Sequence, residues 1–258
     1  MKKAISPLAA LVIFASACVG TSGGEVVDFR AAASGPADAT GEPLAFDTTR
    51  GWHVTLSTAR LHIGALYLVD SSPPSGAQAT SCVLPGSYVA QVLEGLDVDL
   101  LSGKPQLFPV HGQGVTFEAL AGQIWLTGGD VDDTTAKPTV ILRLSGNAER
   151  GGEQKPFVAN LTIDKNRISD DANASVDSIC KQRIVSRPLS LWVEHSGALR
   201  LRIDPRRLFT NVDFSALEAA GEGFAFRDDS SDQPSANLYN NLTQGGDLYS
   251  FTWVNALE

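Results

Sequence analysis

The chain is a succession of short apolar runs, and this pattern restricts its fold more than any other feature. The runs are rich in Val, Leu, Ile and aromatic residues, and clusters of Gly, Pro, Asp and Ser separate them. In the clearest run, Leu199, Leu201 and Ile203 alternate with polar residues, as in a strand that buries one face. The predicted strands are residues 52–56, 61–69, 87–92, 115–126, 139–146, 157–163, 184–193, 198–203 and 248–253.

Helical patterns are confined to two short segments near the C-terminus, residues 213–220 and 236–244. Asp213 is placed to cap the first segment and Gly221 to end it. Many strands with one or two short helices predict an all-β fold, an antiparallel β-sandwich of immunoglobulin-like or open-barrel type. We expect a single β-sandwich domain over residues 43–258, since 43% of the chain is apolar and can form a sizeable core.

The first seventeen residues have the layout of a lipoprotein signal peptide. Lys2 and Lys3 precede an apolar run over residues 4–14, and small residues lead up to Cys18. The run is shorter than the ~20 residues that a membrane-spanning helix needs. In lipoprotein precursors such a cysteine receives acyl chains and becomes the new N-terminus, so we expect lipid attachment at Cys18. The alternative is an ordinary secretion signal that happens to contain a cysteine.

The residues after Cys18 predict where the protein resides. Val19 follows the cysteine, as in lipoproteins that are sent to the outer membrane. We therefore expect a location in the cell envelope, at the outer membrane, with the membrane as a partner through the N-terminal lipid. Residues 18–42 are rich in Gly, Ala, Ser and Thr and show little hydrophobic periodicity, which predicts a flexible tether.

The charge of the mature chain argues against nucleic acid as a partner. Lys2 and Lys3 leave with the signal, so 18 of the 20 basic residues remain against 29 acidic ones, a formal net charge of −11. An acidic surface repels phosphates and releases no counterions from them.

Two cysteines remain once Cys18 is set aside, namely Cys82 and Cys180. Disulfides persist outside the cytoplasm, so a Cys82–Cys180 bridge is the simplest prediction. The alternative is a pair of inert buried thiols.

Several segments resemble a group of uncharacterised bacterial lipoproteins, with a likeness that covers most of the mature chain: residues 51–52, 59–68, 179–183 and 201–205. More distantly, the chain is similar to the MbnP-like proteins in the order of three features. These are an early strand ending in a Tyr-containing apolar run, the segment 203–209, and an Asn-bearing helix near Asn237. That family is extracytoplasmic and β-rich, and some members bind copper, so this resemblance implies copper binding as an alternative function.

The sequence offers little sign of catalysis. It contains no His-Glu-x-x-His motif and no Gly-rich phosphate loop. We therefore expect a non-enzymatic binding or interaction module whose ligand the sequence does not identify. Trp52, Trp125, Trp192 and Trp253 each lie in a predicted strand, which favours core packing. Exposure of two of them on one face would instead favour carbohydrate binding.

His53 and His62 are the candidate metal ligands. If a two-residue turn at Ser57 and Thr58 folds the chain back, the Cβ atoms of the two histidines lie ~5 Å apart and their imidazoles could share one Cu or Zn ion. If a one-residue bulge continues the strand, the rings lie ~30 Å apart and cannot share an ion. His111 and His195 have no local partner, and we expect both at the surface.

Overall fold

The structure is a computed structural model that describes residues 24–71, 87–128, 139–163, 182–221, 223–244 and 246–257. Cys18, Cys82 and Cys180 lie outside these residues. The predicted lipid attachment and the predicted disulfide therefore stay predictions.

Strands dominate the described residues, as the apolar runs predict. The strands are β1 (Val26–Ser34), β2 (Leu44–Asp47), β3 (His53–Ile63), β4 (Ala65–Val69), β5 (Tyr88–Val92), β6 (Leu96–Asp99), β7 (Gln106–Leu107), β8 (Gly112–Val115), β9 (Glu118–Trp125), β10 (Val140–Arg150), β11 (Glu153–Thr162), β12 (Ile184–Trp192), β13 (Ala198–Ile203), β14 (Ala219–Ala220), β15 (Gly223–Phe226) and β16 (Tyr249–Val254). Two 3₁₀ helices, Pro205–Phe209 and Phe214–Ala216, and one α-helix, α1 (Gln233–Gln244), follow β13.

The strands form two sheets. The larger sheet has the order β12-β9-β4-β5-β8-β1-β13-β16, with β7 also on β1. Its end strands β12 and β16 lie close together, so this sheet nearly closes on itself like a barrel. The second sheet has the order β14-β15-β11-β10-β3-β2, with β6 also on β3. Most pairs are antiparallel, while β1–β13 and β11–β15 are parallel. The predicted all-β sandwich or barrel is confirmed.

One hydrophobic core fills the space between the sheets, to which alternate residues of each strand contribute. A cluster of rings packs where the 3₁₀ helices cover the second sheet: Trp52, Phe157, Phe209, Phe214 and Phe226. These rings have edge-to-face, tilted and stacked contacts, which add to the burial of their apolar area.

The two predicted helical segments have different outcomes. The second is confirmed as α1, whose first turn is capped by Asp232, because its carboxylate accepts a hydrogen bond from the Ser235 amide at 2.7 Å. The first is only the 3₁₀ turn Phe214–Ala216, although Asp213 caps it as predicted. Beyond that turn the chain becomes extended into β14, and Gly221 then adopts a φ of 62°. Neither α1 nor any other helix of the described residues is long and apolar enough to span a bilayer.

The predicted tether is wrong from residue 26 onward, because residues 26–34 form β1. This strand lies inside the larger sheet between β8 and β13, and its Val27 and Phe29 side chains are buried in the core. The run of three alanines at residues 31–33 hides the alternation, since a small apolar residue on both faces gives no period of two. The folded part therefore begins before Pro43, and only five residues lie between Cys18 and Gly24.

Candidate functional site

A row of polar side chains crosses six neighbouring strands of the larger sheet. Tyr67 in β4 lies directly opposite Gln123 in β9 on one side and Gln91 in β5 on the other. Residues paired in this way share a face of the sheet, because side chains alternate along each strand. Beyond Gln123 the row continues to Ser186 in β12, and beyond Gln91 it continues to Gln113 in β8 and Asp28 in β1. We call these six side chains the outer-face row: Ser186, Gln123, Tyr67, Gln91, Gln113 and Asp28.

The outer-face row points away from the core. Leu66 and Leu68, the neighbours of Tyr67 in β4, are both core residues, and so is Ile124 beside Gln123. Since successive side chains of a strand project to opposite faces, Tyr67 and Gln123 project outward.

Two further aromatic rings lie against Tyr67 of the outer-face row. The Tyr67 ring centroid is 4.5 Å from that of Trp125 and 4.8 Å from that of Tyr88. Burial raises the pKa of both tyrosine phenols, and the charge of Tyr88 adds to the effect on Tyr67. Both hydroxyls are therefore protonated at neutral pH and able to donate hydrogen bonds.

Two polar atoms of this site are buried without a partner. Gln123 is only 2% exposed. Within the described part of the chain, neither its Oε1 nor the Nε1 of Trp125 has a hydrogen-bond partner. A buried polar atom left unpaired costs roughly 1–3 kcal/mol, and native proteins contain few of them. An acceptor and a donor of this kind therefore lie buried on the same face of the sheet.

The composition of the site determines what it can bind. The outer-face row offers amides, a phenol and a hydroxyl, and its single charged side chain is Asp28 at one end. It contains no histidine, lysine or arginine and no pair of carboxylates. Flat rings beside amide donors and acceptors fit a neutral polar ligand that has an apolar face.

The structure does not bring His53 and His62 together. Strand β3 runs without a turn from His53 to Ile63, and the register against β10 shifts at Ser57, which is a bulge. At ~3.3 Å per residue the two histidines lie ~30 Å apart, so the hairpin hypothesis and its shared metal ion are wrong.

Each of the two histidines instead contacts an aspartate directly across a neighbouring strand. His53 Nδ1 lies 2.8 Å from Oδ1 of Asp47 in β2, and His62 Nδ1 lies 2.8 Å from Oδ1 of Asp97 in β6. No group of three or more His, Cys, Asp or Glu side chains that could hold a metal ion occurs among the described residues.

The remaining histidines and the tryptophans can also be placed. His111 and His195 are exposed, as predicted, and His195 Nε2 lies 2.6 Å from Oε2 of Glu25. Core packing is confirmed for Trp52, which is fully buried, and for Trp253, which is packed on the core. It is wrong for the other two tryptophans, Trp125 and Trp192, which both lie on the outer face of the larger sheet.

A concave surface with a volume of about 450 Å³ lies beside Asp38, Asp204 and Arg206. Arg206 donates hydrogen bonds to Asp204 Oδ1 at 2.7 Å and to Asp38 Oδ2 at 2.9 Å. The bond with Asp204 raises the pKa of Arg206, and the bond from Arg206 lowers the pKa of Asp38. These charges compensate one another, so this arrangement connects the segment after β1 to the first 3₁₀ helix.

Sequence reasoning did not single out Gln91, Gln113 and Gln123. Each lies in or beside a predicted strand, so alternation alone would have indicated that Gln91 and Gln123 face away from the core. Their assembly into one row depends on the strand order and register, which no local pattern contains.

Neither a protein-family model nor a curated protein matches the sequence. Among solved structures, the chain is similar to MbnP from Methylosinus trichosporium, with a TM-score of 0.45 and 12% sequence identity. The similarity covers 89% of this chain and 98% of that one. A likeness at this level assigns neither a ligand nor an activity to this chain.

Proposed function

We propose that this chain is an envelope lipoprotein, anchored through Cys18, whose β-domain binds a neutral oligosaccharide on the outer-face row without chemically changing it. Sugars combine many hydroxyl groups with apolar ring faces. Amide side chains can hydrogen-bond the hydroxyls, while the Trp125, Tyr67 and Tyr88 rings can pack against the apolar faces.

The unpaired amide of Gln123 is the observation that carries the proposal. A leucine at this position would satisfy the β-structure equally well and would leave no buried oxygen without a hydrogen bond. Retaining glutamine therefore makes the unbound domain less stable than it could be, which is expected where binding determines the residue. The absence of charge next to Gln123 in the row supports a neutral ligand.

The sharpest test replaces Gln123 by leucine and measures stability and binding together. We expect Gln123→Leu to raise the free energy of unfolding by roughly 1 kcal/mol, because a buried unpaired amide is removed. We expect the same change to weaken binding of glucose- and N-acetylglucosamine-based hexasaccharides at least tenfold, as measured by calorimetry and tryptophan fluorescence. Loss of stability in Gln123→Leu would mean that the amide has a structural role.

A matched control is Gln154→Leu on β11 of the second sheet, where the glutamine is exposed and donates to Glu149. We expect it to leave oligosaccharide binding unchanged. Equal affinity of the Gln123 and Gln154 variants, or no binding of any hexasaccharide by the wild type, contradicts the proposal.

The anchor is tested separately. We expect the natural protein to fractionate with membranes and Cys18→Ser to be released into the soluble fraction, because the acyl chains are then missing. No observation among the described residues favours the copper-binding alternative, so it is not part of this proposal.

A further inference from the structure

One end of the larger sheet, the proximal end, is the end at which β1 begins. It comprises residues 24–26, 69–71, 87–88, 115–118, 192–198 and 254, which the strand pairings bring to the same edge. Two large apolar side chains are well exposed here: Trp192 is 58% and Val26 is 75% exposed. Tyr88, which is 41% exposed, adds a third exposed side chain.

The length of chain before β1 determines what lies near this end. Five residues lie between Cys18 and Gly24, so six Cα–Cα steps join the two. Even fully extended they span only about 20 Å. A lipid on Cys18 therefore keeps the proximal end within about 20 Å of the acyl chains. The headgroup layer itself occupies about 5–8 Å of this distance.

The side chains of the proximal end suit the surface of a bilayer. Trp192 lines an open cavity of about 580 Å³ together with Phe117 and Val193. Tryptophan and tyrosine favour the membrane–water interface, where the ring is in apolar surroundings and its polar atom is hydrated.

The charges of the proximal end indicate which lipids it contacts. Four carboxylates lie there, those of Glu25, Asp70, Glu118 and Glu194, and His195 is the single basic side chain among these described residues. An acidic rim attracts the outward-facing ammonium of a zwitterionic headgroup and repels anionic lipids.

We infer that the proximal end is a membrane-contacting surface, on which Trp192 enters the interface of a zwitterionic bilayer. The inference depends on the lipid anchor of the proposed function. It also implies that the domain stands on the membrane in one orientation, with the far edge of the sheet, beyond Trp125, directed away from it.

Quenching by brominated lipids tests this contact. The acylated full-length protein is incorporated into phosphatidylethanolamine–phosphatidylcholine vesicles whose acyl chains carry bromine near the headgroup. We expect the bromine to quench the tryptophan fluorescence of the wild type. In Trp192→Phe we expect the quenching to be at least about twofold smaller, because Trp192 is the ring at the interface. The matched control Trp125→Phe removes a ring at the opposite end of the same sheet, and we expect it to keep the quenching.

Two further arms make the result specific. Inserting about twenty Gly and Ser residues between Cys18 and Gly24 lengthens the tether, and we expect it to reduce the quenching. Replacing half of the lipid by phosphatidylglycerol should reduce it as well. Equal quenching in wild type and Trp192→Phe overturns the inference. Protein that fails to float with the vesicles shows that the anchor is absent, whereas protein that floats without quenching contradicts the membrane contact alone.

Discussion

Gly112 lies directly opposite Phe29 in the pairing of β8 with β1, and the Phe29 ring occupies the space that a side chain on Gly112 would need. Phe29 is almost fully buried, and its ring lies 5.1 Å from that of Trp253. The glycine thus lets an aromatic ring pack over the neighbouring strand, a way of protecting a glycine within a sheet.

A side chain at position 112 should destabilise the fold through Phe29. We expect Gly112→Ala to lower the free energy of unfolding by roughly 1–3 kcal/mol, because the new methyl group overlaps the ring. Urea denaturation measures this value. In the double variant Gly112→Ala/Phe29→Leu the total loss should be smaller than the sum of the single losses, since the shorter side chain vacates the space. Strict additivity contradicts this relationship.

The position of β1 makes the start of the folded unit testable. A chain that begins at residue 43, where the sequence predicts the domain to start, lacks the strand between β8 and β13 and the Phe29 side chain. We expect it to remain unfolded, while a chain that begins at residue 24 folds. Circular dichroism and the cooperativity of thermal melting distinguish the two. Cooperative melting of the shorter chain at the temperature of the longer one would contradict the assignment of β1 to the sheet.

The sequence predicts the location of most strands correctly, but it does not indicate which strands pair with each other. Alternation at Leu199, Leu201 and Ile203 identifies β13 correctly because the pattern is local. The parallel pairing of β13 with β1 joins segments far apart in the chain, and no local pattern indicates it. The alanine run of β1 has neither alternation nor large side chains, so composition alone resembles a linker.

The same distinction explains the prediction for the histidines. Apolar parity changes between residues 56 and 61, and this correctly indicates a change of register, although both a turn and a bulge are consistent with it. The bulge occurs because Ser57 and Thr58 lack the glycine or asparagine that tight turns need. Ser57 instead stays in β3, where its Oγ lies 3.0 Å from the Oγ of Ser145.

Asp213 should make stability depend on pH. Its carboxylate accepts hydrogen bonds from the hydroxyl and the amide of Ser215, at 2.8 and 3.1 Å, and one from the Trp52 indole at 3.4 Å. These bonds, chiefly that of the Ser215 hydroxyl, lower the pKa of Asp213, and the nearby Arg150 lowers it further. The carboxylate is therefore more acidic in the folded state, so its stabilising contribution is present above the ordinary pKa of about 3.9. It is lost as the pH falls through the lower native value.

We therefore expect Asp213→Asn to reduce the free energy of unfolding by up to about 1 kcal/mol at pH 7, a modest value because the side chain is partly solvated. The difference from wild type should shrink as the pH falls below about 4. Urea denaturation across pH 2.5–7, chosen to span the carboxyl range of about 4, measures it. Glu42→Gln, which removes one exposed carboxylate, serves as the control for the loss of a negative charge. A difference that stays constant over this range contradicts the role of the charge.

The separation of His53 from His62 predicts how the protein responds to metal ions. A ligand of the folded state raises the melting temperature, and two ligands of one ion act together, so removal of either abolishes the response. Side chains ~30 Å apart on one strand cannot bind the same ion, so we expect the two histidines to act independently. Any effects of His53→Ala and His62→Ala on the shift caused by Zn²⁺ or Cu²⁺ should add in the double variant. Melting of the wild type, both single variants, the double variant and a His111→Ala control with each ion measures this. A response that vanishes in each single variant, with no further change in the double variant, would show a shared ion and contradict the continuous strand β3.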